Sequence, residues 1–334
     1  MLSPTCLLLF SLFVTTPPGK DPHAVEAAKL FDAVVAASST GDNATAAKLA
    51  STALPVLDRA AGVFKSNPRF HFARGLALIL KEDRPGCLKA LQKAYKLAPG
   101  HSGAIMKDGR VHPMFGATYA LALKMNLLPV KSREVLTEMA SVHPENVAVS
   151  YMLLQLHLSL QEYAKALPMA QKMLKGKAVN LTILLTAQGE SLLYLGRVDA
   201  AVKALKGALS ATPDAATPMT FLAEAYLVGG DAAGARTLLE GGLKKHPRAP
   251  DLRFLHALAL ERQGQKSAAA TAWRVAFDLL KARKPQDNGR EHLLFSRAAA
   301  RLGESAVAKR HQQQAKALHY VRLATDPRSP PAAR

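Results

Sequence analysis

The chain repeats itself with a period close to 34 residues, and this periodicity constrains the fold more than any other feature of the sequence. Three stretches show it best: RGLALILKEDRPGCLKALQKAYKLAP, ending at Pro99; QGESLLYLGRVDAAVKALKGALSATP, ending at Pro213; and LAEAYLVGGDAAGARTLLEGGLKKHP, ending at Pro247. Each contains an amphipathic segment, a short polar turn, a second segment rich in small residues and leucine, and a closing proline. Because proline stops a helix, the pattern predicts a helical hairpin as the repeated unit.

Copies of the pattern begin near residues 27, 68, 113, 147, 182, 216, 250 and 289, at intervals of 41, 45, 34, 35, 34, 34 and 39 residues. Four consecutive intervals of 34 or 35 residues indicate a regular array. The longest interval contains the stretch APGHSGAIMKDGRVHP. Its glycines predict an irregular loop over residues 99–112.

The composition supports helices throughout. Hydrophobic residues make up 49% of the chain but aromatic residues only 6%, so alanine and leucine must do most of the packing. Both residues lose little conformational freedom in a helix, and β-branched runs bounded by turn residues are scarce. We therefore predict an all-α protein.

The first 20 residues resemble a secretory signal peptide. They contain a nine-residue apolar run, CLLLFSLFV, which is too short to span a bilayer and is followed by TTPPGK. No lysine or arginine precedes the run, and no A-x-A pattern follows it. We predict a cleaved leader over residues 1–20, with an uncleaved anchor or a misassigned start as the alternatives. Cleavage would make the protein periplasmic or secreted; otherwise it would be cytoplasmic or membrane-anchored.

The net charge of +19 is concentrated towards the end of the sequence, where residues 241–334 contain 19 Lys and Arg against 7 Asp and Glu. Such a surface can attract nucleic acid, anionic lipid or acidic proteins. No aromatic residues interleave with these charges in the manner that single-strand binding favours. Solubility and genome bias are our preferred explanation of the charge.

The sequence contains no pattern that indicates catalysis. Its eleven histidines are scattered, and H-E-x-x-H, C-x-x-C and Gly-rich phosphate loops are absent. The two cysteines, Cys6 and Cys87, form no metal or disulfide framework. His101, Asp108 and His112 cluster in the irregular loop, where loop polarity accounts for them. We expect no enzyme activity, no metal and no cofactor.

The repeated pattern resembles the tetratricopeptide repeat over roughly residues 27–322. In the unit that begins at Thr182, Gly189 and Ala201 take the small positions that let two helices approach closely, and Gly196 ends the first helix. The corresponding positions of all units are Gly75, Ala94, Pro99, Gly189, Gly196, Ala201, Ala208, Pro213, Tyr226, Gly230, Ala235, Pro247, Gly264, Ala269 and Ala276.

The resemblance implies a right-handed superhelical solenoid of about seven to eight helical hairpins, which we place at residues 21–323. We expect a last helix over Glu304–Leu323, polar on its outer side, and a disordered tail over residues 324–334.

Tetratricopeptide repeats bind partner segments mainly on a concave face lined by the first helix of each hairpin. The resemblance places these residues there: Tyr151, Gln155, Glu190, Tyr194, Thr220, Glu224 and Phe254. They suit an extended or helical segment with apolar anchors and a basic residue facing Glu190 and Glu224. Family members that clamp a terminal carboxylate use lysine, asparagine and arginine at this face, and those residues are missing here. For Leu193, Leu227 and Leu258, packing within a hairpin is an equal alternative to exposure.

These features predict a non-enzymatic scaffold that binds one or more proteins, in cell-envelope assembly or secretion. The alternative is a binder of nucleic acid or anionic surfaces through the basic last third. Contact with a membrane is expected only through an uncleaved leader.

Overall fold

A computed structural model describes residues 21–326 of the chain, except residues 41, 101–103, 107, 177–179 and 284–286. The predicted leader lies outside the described residues, as do residues 327–334 of the predicted tail. Within the described part the chain divides into two compact units, which meet between Leu153 and Leu154.

The described residues form sixteen α-helices, and their only β-type pairing is a single bridge between Ile105 and Val111. The helices are α1 (Pro22–Ser39), α2 (Asn43–Val63), α3 (Pro68–Leu80), α4 (Arg84–Leu97), α5 (Pro113–Met125), α6 (Pro129–Val142), α7 (Val147–Ser159), α8 (Tyr163–Leu174), α9 (Leu181–Tyr194), α10 (Val198–Ala211), α11 (Ala216–Val228), α12 (Ala232–Lys245), α13 (Pro250–Arg262), α14 (Lys266–Arg283), α15 (Gly289–Arg301) and α16 (Ser305–Ala317).

Odd-numbered helices are the first, and even-numbered helices the second, of eight hairpins. The predicted hairpin starts at 68, 113, 147, 216, 250 and 289 coincide with helix starts, and the one at 182 differs by one residue. Helix α1 begins at Pro22, ahead of the expected start at 27, and Ala24 in its first turn is fully buried. The all-α helical repeat solenoid is thereby confirmed.

The two units build their cores in the same way. In the first unit α2 packs against α3 and α4 against α5, and in the second unit α8 packs against α9, α10 against α11, α12 against α13 and α14 against α15. Within the second unit each of α9, α11 and α13 also contacts the next odd-numbered helix. This stacking buries a face that one hairpin could not bury alone. The predicted irregular loop contains a 3₁₀ turn over Ala98–Gly100, and the bridge between Ile105 and Val111 closes its described part.

Seven of the hairpins share one turn geometry at the end of the first helix. In the hairpin of α9 and α10, Gly196 has a φ of +78°. The Arg197 N–H donates to the Leu192 carbonyl at 2.8 Å and the Gly196 N–H to the Leu193 carbonyl at 3.0 Å. This is the Schellman arrangement, which favours glycine at the left-handed position. The equivalent positive-φ residues are Glu82, Leu127, Gln161, Gly230, Gly264 and Gly303.

Small residues set the distance between the two helices of a hairpin. A Cβ atom on Gly189 would stand 2.5 Å from Leu205 Cγ, and one on Gly75 would overlap Leu91 in the same way. The alanines at the matching positions are almost completely buried: Ala94, Ala201, Ala208, Ala235, Ala269 and Ala276. Leu193, Leu227 and Leu258 are also buried. These three leucines therefore pack within the hairpins and are not exposed on the binding face.

Helix α16 ends at Ala317, earlier than the predicted Leu323. The Tyr320 N–H donates to the Ala315 carbonyl at 2.9 Å and His319 has a φ of +60°, so the chain makes the hairpin-type turn here too. Residues 320–326 then run back without helical structure. Residues 324–326, the start of the predicted tail, form a turn. The outer side of α16 is exposed as expected, at Lys309, Arg310, Gln312, Gln313 and Gln314.

Candidate functional site

A buried charge cluster lies on the odd-numbered helices of the second unit. Arg290, in the first turn of α15, donates from Nη2 to Glu224 Oε1 of α11 at 2.7 Å and from Nε to Asp251 Oδ1 of α13 at 2.7 Å. Glu224 is completely buried, and its Oε2 has no hydrogen-bond partner among the described residues. One arginine thus bridges three successive hairpins.

Three tyrosines adjoin this cluster. The rings of Tyr163 and Tyr194 stack with their centroids 4.3 Å apart. The hydroxyl groups of Tyr194 and Tyr320 lie 3.0 Å apart, and Arg290 Nη1 donates to the Tyr320 hydroxyl at 3.1 Å. Burial raises the pKa of the Tyr194 and Tyr320 hydroxyls, so both stay protonated at neutral pH.

Tyr320 belongs to residues 319–326, which we name the return segment. Gln161, in the turn between α7 and α8, hydrogen-bonds to both an N–H and a carbonyl of the return segment's backbone. The Gln161 side chain accepts from the Val321 N–H at 2.9 Å and donates to the Arg322 carbonyl at 2.7 Å. Arg322 in turn donates from Nη2 to the Tyr194 carbonyl at 3.0 Å. The return segment therefore lies across the ends of α7 and α9.

The far end of the return segment is fixed by a second arginine. Arg297 of α15 donates from Nε and Nη2 to the two Asp326 carboxylate oxygens, at 3.0 and 2.9 Å. Asp326 also accepts from the Leu323 N–H at 3.0 Å, and the Leu323 side chain is 2% exposed. We name the surface that contacts the return segment the odd-helix face; its polar contacts come from Gln161, Tyr194, Arg262, Arg290 and Arg297.

The electrostatics of the cluster follow from its burial. Burial raises the pKa of Glu190 to about 8, the charge of Arg290 counteracts this, and the charge of Glu224 adds to it. Burial also disfavours the charge of Arg290, yet Glu224 and Asp251 hold its pKa well above that of a free arginine. Arg290 is therefore always charged, and Glu190 holds its proton more tightly than a free glutamate does.

The structure corrects the predicted groove at four of its residues. Tyr194, Thr220, Glu224 and Phe254 are buried, so they do not line an open groove. Phe254 packs edge-on against Trp273, with centroids 4.9 Å apart. The residues that keep partial exposure are Tyr151, in the first unit, and Gln155 and Glu190, in the second. The basic residue expected opposite Glu224 is supplied by the chain itself, as Arg290.

Sequence reasoning missed Gln161, Arg290, Tyr320 and Leu323. The position of Arg290 in the first turn of α15 gives no sign of a contact 66 residues away. One signal was present: LHYVRL after residue 317 contains tyrosine and valine, which are poorer helix formers than the preceding alanine, lysine and glutamine.

A second feature lies at the last hairpin. His292 of α15 and His311 of α16 approach Nδ1 to Nδ1 at 2.8 Å, both buried, and His311 packs against Phe295. His311 borders a cavity of about 510 Å³ between α14, α15 and α16, which Arg274, Asp278, Lys281 and Arg310 also line. Burial, together with the charges of His292 and Arg310, lowers the pKa of His311 to about 4.

The described residues contain no group of three or more His, Cys, Asp and Glu side chains placed to hold a metal ion. None of the described helices has the length and apolar content needed to cross a membrane.

One known family of repeats matches part of the chain. The model of the tetratricopeptide repeat matches residues 192–259, from the end of α9 into α13. These residues are similar to tetratricopeptide repeats, and the helical hairpins on either side of them have the same two-helix architecture. A search of curated proteins finds no match.

Two solved structures share the fold. A tetratricopeptide repeat protein from Parabacteroides merdae ATCC 43184 has a TM-score of 0.59 and 14% identity, covering 77% of this chain and 94% of its own. The apo form of the quorum sensor NprR from B. thuringiensis has a TM-score of 0.62 and 15% identity, covering 89% of this chain and 88% of its own. At such identities the likeness shows the fold alone.

Proposed function

We propose that the protein is a non-enzymatic scaffold that binds a partner protein by holding a segment of it on the odd-numbered helices of the second unit. The observation that supports this proposal is the return segment. The odd-helix face already holds eight residues of non-helical peptide through both backbone and side-chain contacts.

The contacts are of two kinds that peptide-binding surfaces combine. Gln161 recognises the peptide backbone, which gives affinity without regard to sequence. The buried sites of Tyr320 and Leu323 select side chains, which gives specificity.

The test is affinity capture from the native lysate with nuclease present, at low and moderate salt, with a matched pair of variants. Gln155→Lys changes a half-buried residue of α7 that the family resemblance places on the binding face. Gln312→Lys makes the same change on the exposed outer side of α16. We expect Gln155→Lys to reduce the retained partner about tenfold or more and Gln312→Lys to leave it unchanged. Equal retention by the two variants, or no protein retained at all, would contradict the proposal.

Binding of nucleic acid or an anionic surface is the competing function, because of the net charge of +19. Four arginines of the basic last third are already paired with carboxylates: Arg283 with Glu291, Arg290 with Glu224, Arg297 with Asp326 and Arg301 with Glu261. This pairing weakens that alternative. A protein that retained labelled oligonucleotides with a steep loss of affinity between 50 and 200 mM salt, as is typical of phosphate contacts, would favour it.

A role in the cell envelope, in assembly or secretion, remains part of the proposal and rests on the leader-like residues 1–20. Fractionation of cells that express the full sequence tests it: recovery of a shortened chain outside the cytoplasm supports the role, and a full-length cytoplasmic chain contradicts it.

A further inference from the structure

We propose that the return segment is a displaceable internal ligand of the odd-helix face. The partner docks by replacing it with an extended segment that carries the same three anchors, in the order Tyr-x-x-Leu-x-x-Asp. This inference rests on the proposed function and specifies the chemistry of the partner.

The exposure of the return segment resembles that of a bound peptide. Tyr320 and Leu323 are 6% and 2% exposed, whereas Val321 between them is 57% exposed. His319 and Arg322 are exposed as well. Two anchors are thus buried while their neighbours face solvent, so most of the side-chain specificity lies in tyrosine and leucine.

The tyrosine site is organised by residues outside the return segment. Glu224 and Asp251 hold the Arg290 guanidinium in place, and Arg290 then donates to the Tyr320 hydroxyl at 3.1 Å. Gly289 leaves room for the approach, because a Cβ atom there would stand 2.6 Å from Tyr320 Cβ. Because the bonds from Arg290 to Glu224 and Asp251 do not involve Tyr320, we expect the site to stay formed when the tyrosine leaves, so that an incoming tyrosine meets a preorganised site.

The carboxylate site recognises charge as well as geometry. The two hydrogen bonds from Arg297 to the Asp326 oxygens form a bidentate pair, which discriminates a carboxylate from a neutral side chain. The incoming segment therefore needs an acidic residue three positions after its leucine. This requirement differs from the basic residue that the sequence suggested, because Arg290 already neutralises Glu224.

Covalent linkage makes the return segment a strong competitor for its own site. Only Leu318 separates it from α16, and the chain turns at Leu318 and His319. A ligand on so short a tether has an effective concentration on the order of millimolar. A free peptide of the same sequence should therefore bind the intact chain poorly, and weakening the internal anchors should open the site.

The experiment uses a fluorescent peptide of sequence LHYVRLATD, identical to residues 318–326, and the full chain. Binding is measured by fluorescence anisotropy to the wild type, to the double variant Tyr320→Ser/Leu323→Ser, and to the control Val321→Ser. We expect the double variant to bind the peptide about tenfold or more tightly than the wild type does, and the control to behave as the wild type. A peptide with serine in place of its tyrosine and leucine should not bind.

Equal affinity of the wild type and the folded double variant would overturn the inference, as would failure of the folded double variant to bind. Hydrogen exchange on the wild type gives an independent answer if the double variant does not fold. The hydrogen-bonded amides of Val321 and Leu323 should exchange by local opening, faster than those of α9 and α15. If these two amides exchanged only when the whole protein unfolds, the return segment would be a fixed part of the structure and the inference would be wrong. If these tests fail but the Gln155→Lys variant still captures less partner than the wild type, the displacement inference is wrong and the scaffold function is retained.

Discussion

Leu205 of α10 lies against the α-carbon of Gly189 in α9, with its Cγ 2.5 Å from the point that a Cβ atom on Gly189 would occupy. Leu205 is fully buried. The same relationship joins Gly75 and Leu91 in the first unit. The closeness of the two helices thus depends on glycine at this position.

Replacement of Gly189 by alanine should therefore destabilise the protein. Overpacking costs about 1–3 kcal/mol, which outweighs the gain of helix propensity from alanine. The measurement is the free energy of unfolding from urea titrations. Gly241→Ala in α12 is the matched control, because a Cβ atom there meets nothing within 4 Å. The control should gain about 0.5–1 kcal/mol; a similar gain for Gly189→Ala would show that α9 and α10 can move apart freely.

Arg290→Met should cost more. The substitution leaves the fully buried Glu224 carboxylate without its cation, and breaking one side of a buried pair costs about 3–5 kcal/mol. Chemical denaturation followed by circular dichroism measures the loss. Arg274→Met removes an exposed arginine from α14 and should change stability by less than about 0.5 kcal/mol. If both variants unfolded at the wild-type midpoint, the charge cluster would contribute nothing.

Glu190→Gln should flatten the pH dependence of stability on the alkaline side. Folding raises the pKa of Glu190 from its ordinary 4.5 to about 8, so between these values the folded state keeps a proton that the unfolded state has lost. Stability consequently falls as pH rises through this window, by up to about 1.4 kcal/mol per unit.

The glutamine variant lacks this titration. Between pH 4.5 and pH 9 it should therefore lose less stability than the wild type does. Melting temperatures from pH 4.5 to pH 9 measure the difference. Asp278→Asn, an exposed carboxyl group on α14, is the control and should follow the wild type. A Glu190→Gln curve parallel to the wild-type curve would show that Glu190 is ionised in the folded protein.

His311→Asn should act on the acid side. Folding lowers the pKa of His311 from 6.5 to about 4, so between these values the unfolded state binds a proton that the folded state does not. Stability is therefore lost as pH falls through this window. Asparagine can still hydrogen-bond to His292 but does not titrate, so the variant should lose less stability between pH 6.5 and pH 4. Differential scanning calorimetry measures this, with exposed His319→Asn as the control; identical losses in wild type and His311→Asn would refute the assignment.

The repeat positions of the fold were predictable because they depend on local chemistry. Gly196 ends α9 because a left-handed residue is needed there, and Ala201 is small because α9 lies close to α10. Both requirements recur every 34 residues in the middle of the chain, so the periodicity alone places the helices.

The binding face was only partly predictable, because exposure there depends on distant residues. Tyr194 and Glu224 occupy inward positions of their helices, as the resemblance implies. They are nevertheless covered by Tyr320 and Arg290, at separations of 126 and 66 residues, which no local pattern encodes. Tyr320 and Leu323, three positions apart, also fit a helical face, so the return segment read as a continuation of α16.

Repeat arrays normally couple each unit only to its neighbours, so that an end hairpin can fray alone. The contact between Tyr194 and Tyr320 changes this, because it joins the first and last parts of the second unit across 126 residues. Fraying of α15 and α16 withdraws support from the odd-helix face as a whole. The second unit should consequently unfold as one cooperative block, and closing so long a loop should be its slowest folding step.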